Sequence, residues 1–236
     1  MPNLYIYDYT NGLGGYHYCC YSNRMDNYTI YMNIKILLPK NHLSWSQMRC
    51  WESSKVRYRR EYFECGHRLD TRYLRFGKGI AEMIETGKYK ELLPDLIVYP
   101  VSEFEIKTIV CGVPILSYLD DYDPETNLFR EKKTGKIPWT QAKVIKHGQL
   151  IFYATALKYS TGIMPEYCDL DWIETKDAVA EVDDFWRENE RIVQVTGRIQ
   201  SFHREFDERE VTKMEKRIVK AANEITEAYK LFLKEI

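Results

Sequence analysis

No stretch of the 236-residue sequence strings together the roughly 18 apolar residues a membrane-spanning helix needs. The N-terminus likewise has no basic segment followed by an apolar one of the kind that directs secretion. No membrane association is expected, and the chain is read as cytoplasmic. Six cysteines are present (Cys19, Cys20, Cys50, Cys65, Cys111 and Cys168), but there is no C-x-x-C pair and there are no histidines at zinc-ligand spacing. That argues against a zinc module, and reduced thiols are expected. Net charge is also nearly absent: 34 Lys and Arg against 35 Asp and Glu give −1. Any electrostatic preference must therefore come from how the charges are distributed.

They are distributed unevenly. Residues 49–90 hold eleven Lys and Arg against six acids, and residues 131–149 hold five lysines against one glutamate. Residues 166–190 reverse the sign, with ten acids against two bases. A polyanion would be drawn to the first two segments and repelled by the third, which suits a nucleic-acid groove with an acidic back; plain solvated faces are the alternative.

The first 31 residues stand apart, with eight tyrosines, no lysine and Asn/Gly-rich spacing that follows neither a helical nor a strand period. They read as a poorly ordered extension or as a start assigned too early, with a short hairpin as the alternative. Residues 32–236 read as one domain, long enough to bury a sizeable core. Ser44 stands three residues before Gln47, a capping-box spacing that predicts a helix from about Trp45 to Phe63. A second helix is predicted from Thr71 to Thr86, stopped by Gly87. The period then changes to two. Strands are predicted around Phe104–Val110, over Val113–Asp120 and over Leu128–Lys133, forming an antiparallel meander. Thr140 caps a helix expected to run to about Leu157, a strand follows over Tyr167–Ile173, and Asp207 caps a long C-terminal helix. The apolar face of that last helix (Val211, Met214, Ile218, Ala222, Ile225, Tyr229, Phe232) is expected to pack on the sheet, with a dimer seam as the alternative. The fold class expected is α/β, a mixed sheet with the order α-β-β-β-α-β over residues 71–173.

The chemistry-bearing segment is LSYLDDYDPETNLFREKKTGK. Asp120 ends one strand, and Glu131 and Lys133 alternate onto one face of the next, which the hairpin returns beside Asp120. Phosphodiester hydrolysis needs a metal to polarise the phosphoryl group and activate water, and a cation to steady developing charge. Two carboxylates and a lysine supply that set, and hard oxygen ligands suit Mg²⁺ or Mn²⁺. Asp121 is the rival of Asp120, because the register is uncertain by one residue. Upstream, Pro94-Asp95 with Glu105-Ile106-Lys107 spells a similar pattern. It is set aside because its glutamate falls in the first strand of the meander and no strand ending in aspartate precedes it.

Taken with LSWSQMRC at the start, the helix GKGIAEMIE, the strand GVPILSYLDD, the strand end EKKTG and the helix HGQLIFYA, the chain resembles the PD-(D/E)XK nuclease superfamily. Within it, the RecB-like and lambda-exonuclease-like branches are the most similar, and the resemblance spans roughly residues 43–175. It implies a restriction-endonuclease-like core with flanking helices, a DNA substrate and catalysis by Asp120, Glu131 and Lys133. It places metal on Asp120, Glu131 and the carbonyl of Lys132, and a Q-x-x-x-Y pair, Gln149 and Tyr153, beside the DNA. Charge adds Arg57, Arg59, Arg60 and Lys136 as DNA contacts. Two departures are evident. Ala81 stands where RecB-like relatives carry a histidine ligand, so Glu85, one turn on, is the substitute expected for a second metal, with a surface salt bridge as the alternative. The cysteines do not provide an iron–sulfur cluster, since the last third of the chain offers only Cys168. The resemblance implies an exonuclease of recombination or repair and leaves open a homo-oligomer and a recombination partner protein. A structure-specific or restriction-type endonuclease and a catalytically silent DNA-binding accessory protein are the competing readings.

Overall fold

The computed structural model describes residues 35–64, 72–179 and 191–236. The N-terminal extension expected over residues 1–31 lies outside them. Five strands make one mixed sheet in the order β1-β2-β3-β4-β5: Val101–Val110, Val113–Asp123, Leu128–Gly135, Tyr167–Val179 and Arg191–Glu205. The first three form the expected antiparallel meander, β4 joins β3 in parallel, and β5 returns antiparallel along β4. The parallel step requires a crossover, supplied by helices α4 (Gln141–Ile145) and α5 (Gly148–Thr161). With α3 (Arg72–Glu85) ahead of β1, the order α-β-β-β-α-β stands.

Helices cover both faces. Trp172 and Ile173 are neighbours on β4 and so point to opposite sides. Trp172 belongs to the larger core with Phe129, Leu150, Phe152 and residues of α6 (Glu208–Glu235), whereas Ile173 joins Ile80 and Ile84 of α3 with Leu93 and Leu96. Helix α5 is buried along Leu150–Leu157 and sits in the middle of the larger core. The apolar stripe of α6 buries Val211, Met214, Ile218, Ala222, Ile225 and Phe232 there, as its spacing predicts, and the Asp207 carboxylate accepts the Glu210 amide at 2.7 Å. Among the described residues no helix is long and apolar enough to cross a membrane.

Two predicted elements need correction, and one strand adds to them. The helix expected over 45–63 is broken at Ser54, whose extended backbone ends α1 (Trp45–Ser53) and whose hydroxyl accepts the Arg57 amide to start α2 (Lys55–Tyr58), continued by a π-helical turn over Arg59–Phe63. The helix expected over 140–157 is two helices meeting at His147, which is extended. The break is held from β5: the Arg204 guanidinium donates to the carbonyls of Val144 and His147, acceptors that an unbroken helix would have used. Gly148 then passes so close to the Trp45 ring that a Cβ would overlap it. Strand β5 was not anticipated. It is an edge strand on which, among the residues whose burial is described, only Phe202 and Arg204 are buried, too few for a readable alternation.

Candidate active site

Strands β2 and β3 pair from Asp123↔Leu128 to Asp121↔Arg130, and their paired register ends there. Beyond that point side chains of β2 hold β3 instead. The Asp120 carboxylate accepts the backbone N–H of Lys132 at 2.5 Å, while Asp121 receives the Lys132 ammonium. Asp121 is 0% exposed and also accepts from the Ser102 hydroxyl at 3.3 Å. Burial pushes the Asp121 carboxyl up, and the Lys132 ammonium offsets part of that rise. So consecutive aspartates grip the two ends of Lys132, and Asp121 is spent on an internal ion pair.

Glu131 and Lys133 alternate with that lysine and face the other way. The Lys133 ammonium donates to Glu131 Oε1, and Glu131 Oε2 is buried with no hydrogen-bond partner. Glu131 is only 1% exposed. Its carboxyl is pushed up to about 8, first by burial and then by the negative charge of Asp120, against which Lys133 pulls. Burial works against the charge on Lys133, but Glu131 and Asp120 outweigh it and hold its pKa above the ordinary lysine value. Asp120, Glu131 and Lys133 thus form one electrostatic unit.

Beside Asp120 lies a residue that the sequence reading missed. Glu103 falls opposite Asp120, between the pairs Ser102↔Asp121 and Phe104↔Leu119, and its φ of 49° is a left-handed conformation unusual for a non-glycine residue in a strand. Partial burial raises its carboxyl, and the charges of Asp120 and Glu85 raise it further. Such strain tends to collect at functional sites. Glu103, Asp120, Lys132 and Thr134 line one side of a cavity of about 90 Å³, and Gly77 and Ala81 of α3 line the other. Ala81 therefore does face the carboxylates but offers no donor. Glu85 is exposed and outside that lining, although its charge reaches Glu103. Nothing in the period of β1 marks Glu103; the turn of its backbone is what singles it out.

A divalent cation fits this donor set. Glu131 has an orphaned buried oxygen, its carboxyl is raised by burial and then by the Asp120 charge, and Asp120 stands across the parted strands. No group of three His, Cys, Asp or Glu that could hold a metal occurs among the described residues. Were a cation held here, Asp120 and Glu131 would be its carboxylate ligands, a small protein share of the kind Mg²⁺ accepts.

The remaining sequence-selected residues divide. Gln149 donates to the Tyr153 hydroxyl at 2.7 Å, and Tyr153 is packed in the core with its hydroxyl pKa raised by burial and by Glu131. His147, also missed, bonds Gln149 at 3.2 Å. Burial and the nearby Lys133 charge lower its pKa to about 4, so it is neutral. Arg57 pairs with Glu61, while Arg59 pairs with Glu64 and, at the far end of α6, with Glu235. Neither is brought to Asp120; Arg60, next in chain, is exposed. Lys136 is paired with Asp177. The rejected pattern on β1 is an exposed ladder in which Glu105 binds Lys107 and Tyr118.

No protein-family model and no curated protein matches the sequence. Among solved structures the chain is similar to a putative exonuclease from Eubacterium rectale (10% identity, TM-score 0.46, covering 79% of this chain and 83% of that one). It is also similar to a phage-related exonuclease from Haemophilus somnus 129PT (14%, 0.47, covering 80% and 81%). A third likeness is to LHK-Exo, an alkaline exonuclease from Laribacter hongkongensis, in complex with dAMP (14%, 0.47, covering 84% and 94%). At these identities the likeness concerns the arrangement of the chain, and the chemistry must be read from the residues themselves.

Proposed function

We propose that the chain is a Mg²⁺- or Mn²⁺-dependent DNA nuclease, an exonuclease serving recombination or repair in the cytoplasm, with residues 32–236 as one catalytic domain. The observation that carries this reading is the Glu131 carboxyl, buried with one oxygen unpartnered, beside Asp120 and bonded to the Lys133 ammonium. A buried acid of this kind costs stability unless a cation and a substrate use it.

Asp120, Glu131 and the Lys132 carbonyl would hold the ion. Such an ion polarises a phosphoryl oxygen and lowers the pKa of water. The chain's own groups do the rest. Lys133, kept charged by Glu131 and Asp120, is placed to hold the attacking water and to offset charge growing on the phosphate. Gln149 and Tyr153 lie one turn apart on α5, and their hydrogen bond holds the Tyr153 hydroxyl where the Glu131 charge acts on it. The Asp121–Lys132 pair keeps the parted strands at a set spacing, so that Asp120 and Glu131 remain pre-organised.

The second reading, a silent DNA-binding protein, is favoured by one observation, the donorless Ala81 facing Asp120. Digestion of end-labelled linear duplex and closed circular duplex across a Mg²⁺ and Mn²⁺ titration tests both. Loss of the linear substrate with the circle spared is the expected result. Cutting of the circle would make the protein an endonuclease, and survival of both at every metal concentration would overturn the nuclease reading.

A further inference from the structure

Charge density along the sequence points to Arg57, Arg59, Arg60 and Lys136 as nucleic-acid contacts, but Arg57, Arg59 and Lys136 are tied to carboxylates. A different basic surface adjoins the catalytic strand. β3 ends at Gly135, two residues beyond Lys133, and the chain runs through Trp139 to Thr140, the cap of α4. The half-buried Trp139 ring meets His147 edge-on at 4.9 Å, and the Lys143 ammonium sits 4.1 Å from the centre of the Trp139 ring. His147 leads through Gln149 to Tyr153, whose hydroxyl feels Glu131 and Asp120. Trp139 is thus joined to the candidate centre by a continuous line of contacts. The charges of Lys133, Arg49 and Arg204 all act on His147, which marks convergent positive charge around a neutral ring.

Three cations of this surface are available. Arg49, Lys143 and Lys146 are exposed, and among the described residues none has a carboxylate within ion-pair distance. In the same segment Ile137 and Ile145 stand 77% and 52% exposed, large apolar side chains without cover. Cations interleaved with an aromatic ring and apolar edges are the composition that tracks an unpaired strand, because each base offers a π-face and each nucleotide a phosphate. A stacked duplex hides its base faces, and a membrane or an acidic peptide would have no use for the neighbouring hydrolytic groups.

We propose that Trp139, Arg49, Lys143 and Lys146 form a subsite for an unpaired nucleic-acid strand next to the reacting phosphate, its base on the open part of the Trp139 ring and its phosphates on the three cations. The assignment rests on the nuclease reading for its substrate class. Lys143 leaves the Trp139 ring for a phosphate when the strand arrives, and the neutral His147 holds the indole edge without competing for the anion.

The test uses the full chain carrying Glu131→Gln, so that substrate survives, and a fluorescein-labelled oligothymidylate of about 15 nucleotides, a length in the range of single-strand sites. Anisotropy titrations are run at several salt concentrations. Trp139→Ala should weaken binding about tenfold or more, the scale of losing one stacking platform. Lys143→Gln and Lys146→Gln should each lower the slope of log affinity against log salt by about 0.7, one phosphate contact on a single strand. Lys107→Gln, on the exposed ladder of β1, should change neither. Trp139→Phe, which keeps an aromatic face, should recover most of the affinity, and with the two lysine variants it keeps the test decisive if Trp139→Ala does not fold. Unchanged affinity and salt slope in the Trp139 and lysine variants would overturn the subsite, as would equal weakening of duplex and single-strand binding. The two readings fail separately. A wild-type chain that binds the oligonucleotide through these residues yet cuts nothing refutes the nuclease, whereas one that cuts with KM unmoved by these variants refutes the subsite.

Discussion

Replacing Glu131 by glutamine should stabilise the metal-free protein while abolishing its activity. Glu131 is buried, and its folded-state pKa of about 8 lies above the ordinary glutamate value of 4.5. Between those values the folded state keeps a proton that the unfolded chain releases, so stability falls as pH rises through that window, by about 1.4 kcal/mol per pH unit. The carboxyl carries no such penalty below about pH 4.5, and the whole penalty is reached above about pH 8. At pH 7 it amounts to something on the order of 3 kcal/mol. Glutamine keeps the shape and cannot ionise. Part of the gain is returned because Lys133 loses a charged partner, so a net gain of about 2 kcal/mol is expected, which raises Tm by roughly 4–8 °C in a chain of this length. Thermal unfolding of both proteins in chelator, from pH 5 to pH 9, measures it: the curves should diverge as pH rises. Mn²⁺ should then stabilise wild type by linkage and leave the Gln variant nearly unmoved. Parallel pH dependences, or a variant less stable than wild type at pH 8, would refute the burial argument for Glu131.

Lys133→Ala should leave the far-ultraviolet circular dichroism spectrum intact and slow cleavage by at least roughly 10², the scale of one positioned electrostatic group, in a steady-state assay. Asp120→Asn should remove metal-dependent cleavage and calorimetric Mn²⁺ binding. Asp121→Asn should instead lower the denaturation midpoint, because it leaves the Lys132 ammonium buried without its anion, at a cost of about 3–5 kcal/mol when a buried pair is broken. Glu103→Gln should shift the Mg²⁺ concentration for half-maximal rate more than Glu85→Gln does, since Glu103 lines the cavity with Asp120 and Glu85 does not; the reverse order would restore Glu85 as the helix-borne ligand. Gly148→Ala, which forces a Cβ into Trp45, should lower stability by about 1–3 kcal/mol in urea unfolding, as overpacking does.

The meander and the strand carrying Glu131 and Lys133 are legible because period-two alternation is local: each residue's face follows from its neighbours. The ends of the helices follow local chemistry in part, with Gly87 and Gly162 left-handed where a helix must stop. What escaped the reading depends on residues distant in sequence. The break before α5 is held by Arg204 on β5, and the interruption after Ser53 turns on one serine that serves as the stop of one helix and the cap of the next. Asp120 and Asp121 differ in the partner each finds on Lys132, backbone N–H or ammonium, a contact with no sequence signature. Arginine density over residues 57–60 gave no hint that Arg57 and Arg59 would be matched by Glu61, Glu64 and Glu235. Glu103 needed its backbone angle to be noticed.

Strand β3 carries two interleaved sets of charges. Arg130 reaches Asp169 and Asp171 on β4, and Lys132 reaches Asp121 on β2, while the side chains of Glu131 and Lys133, among the described residues, bond only to each other. Arg130 and Lys132 tie the strand to both neighbours, and in the function proposed above Glu131 and Lys133 are left for chemistry. A shift of one position would exchange the sets, putting the tethering cations at the candidate centre and Glu131 and Lys133 against Asp121 and Asp171. The turn at residues 124–127 is therefore intolerant of a change in length. Single insertions there should be lost from any library selected for solubility alone, before activity is asked for, whereas loops far from β3 remain free to vary.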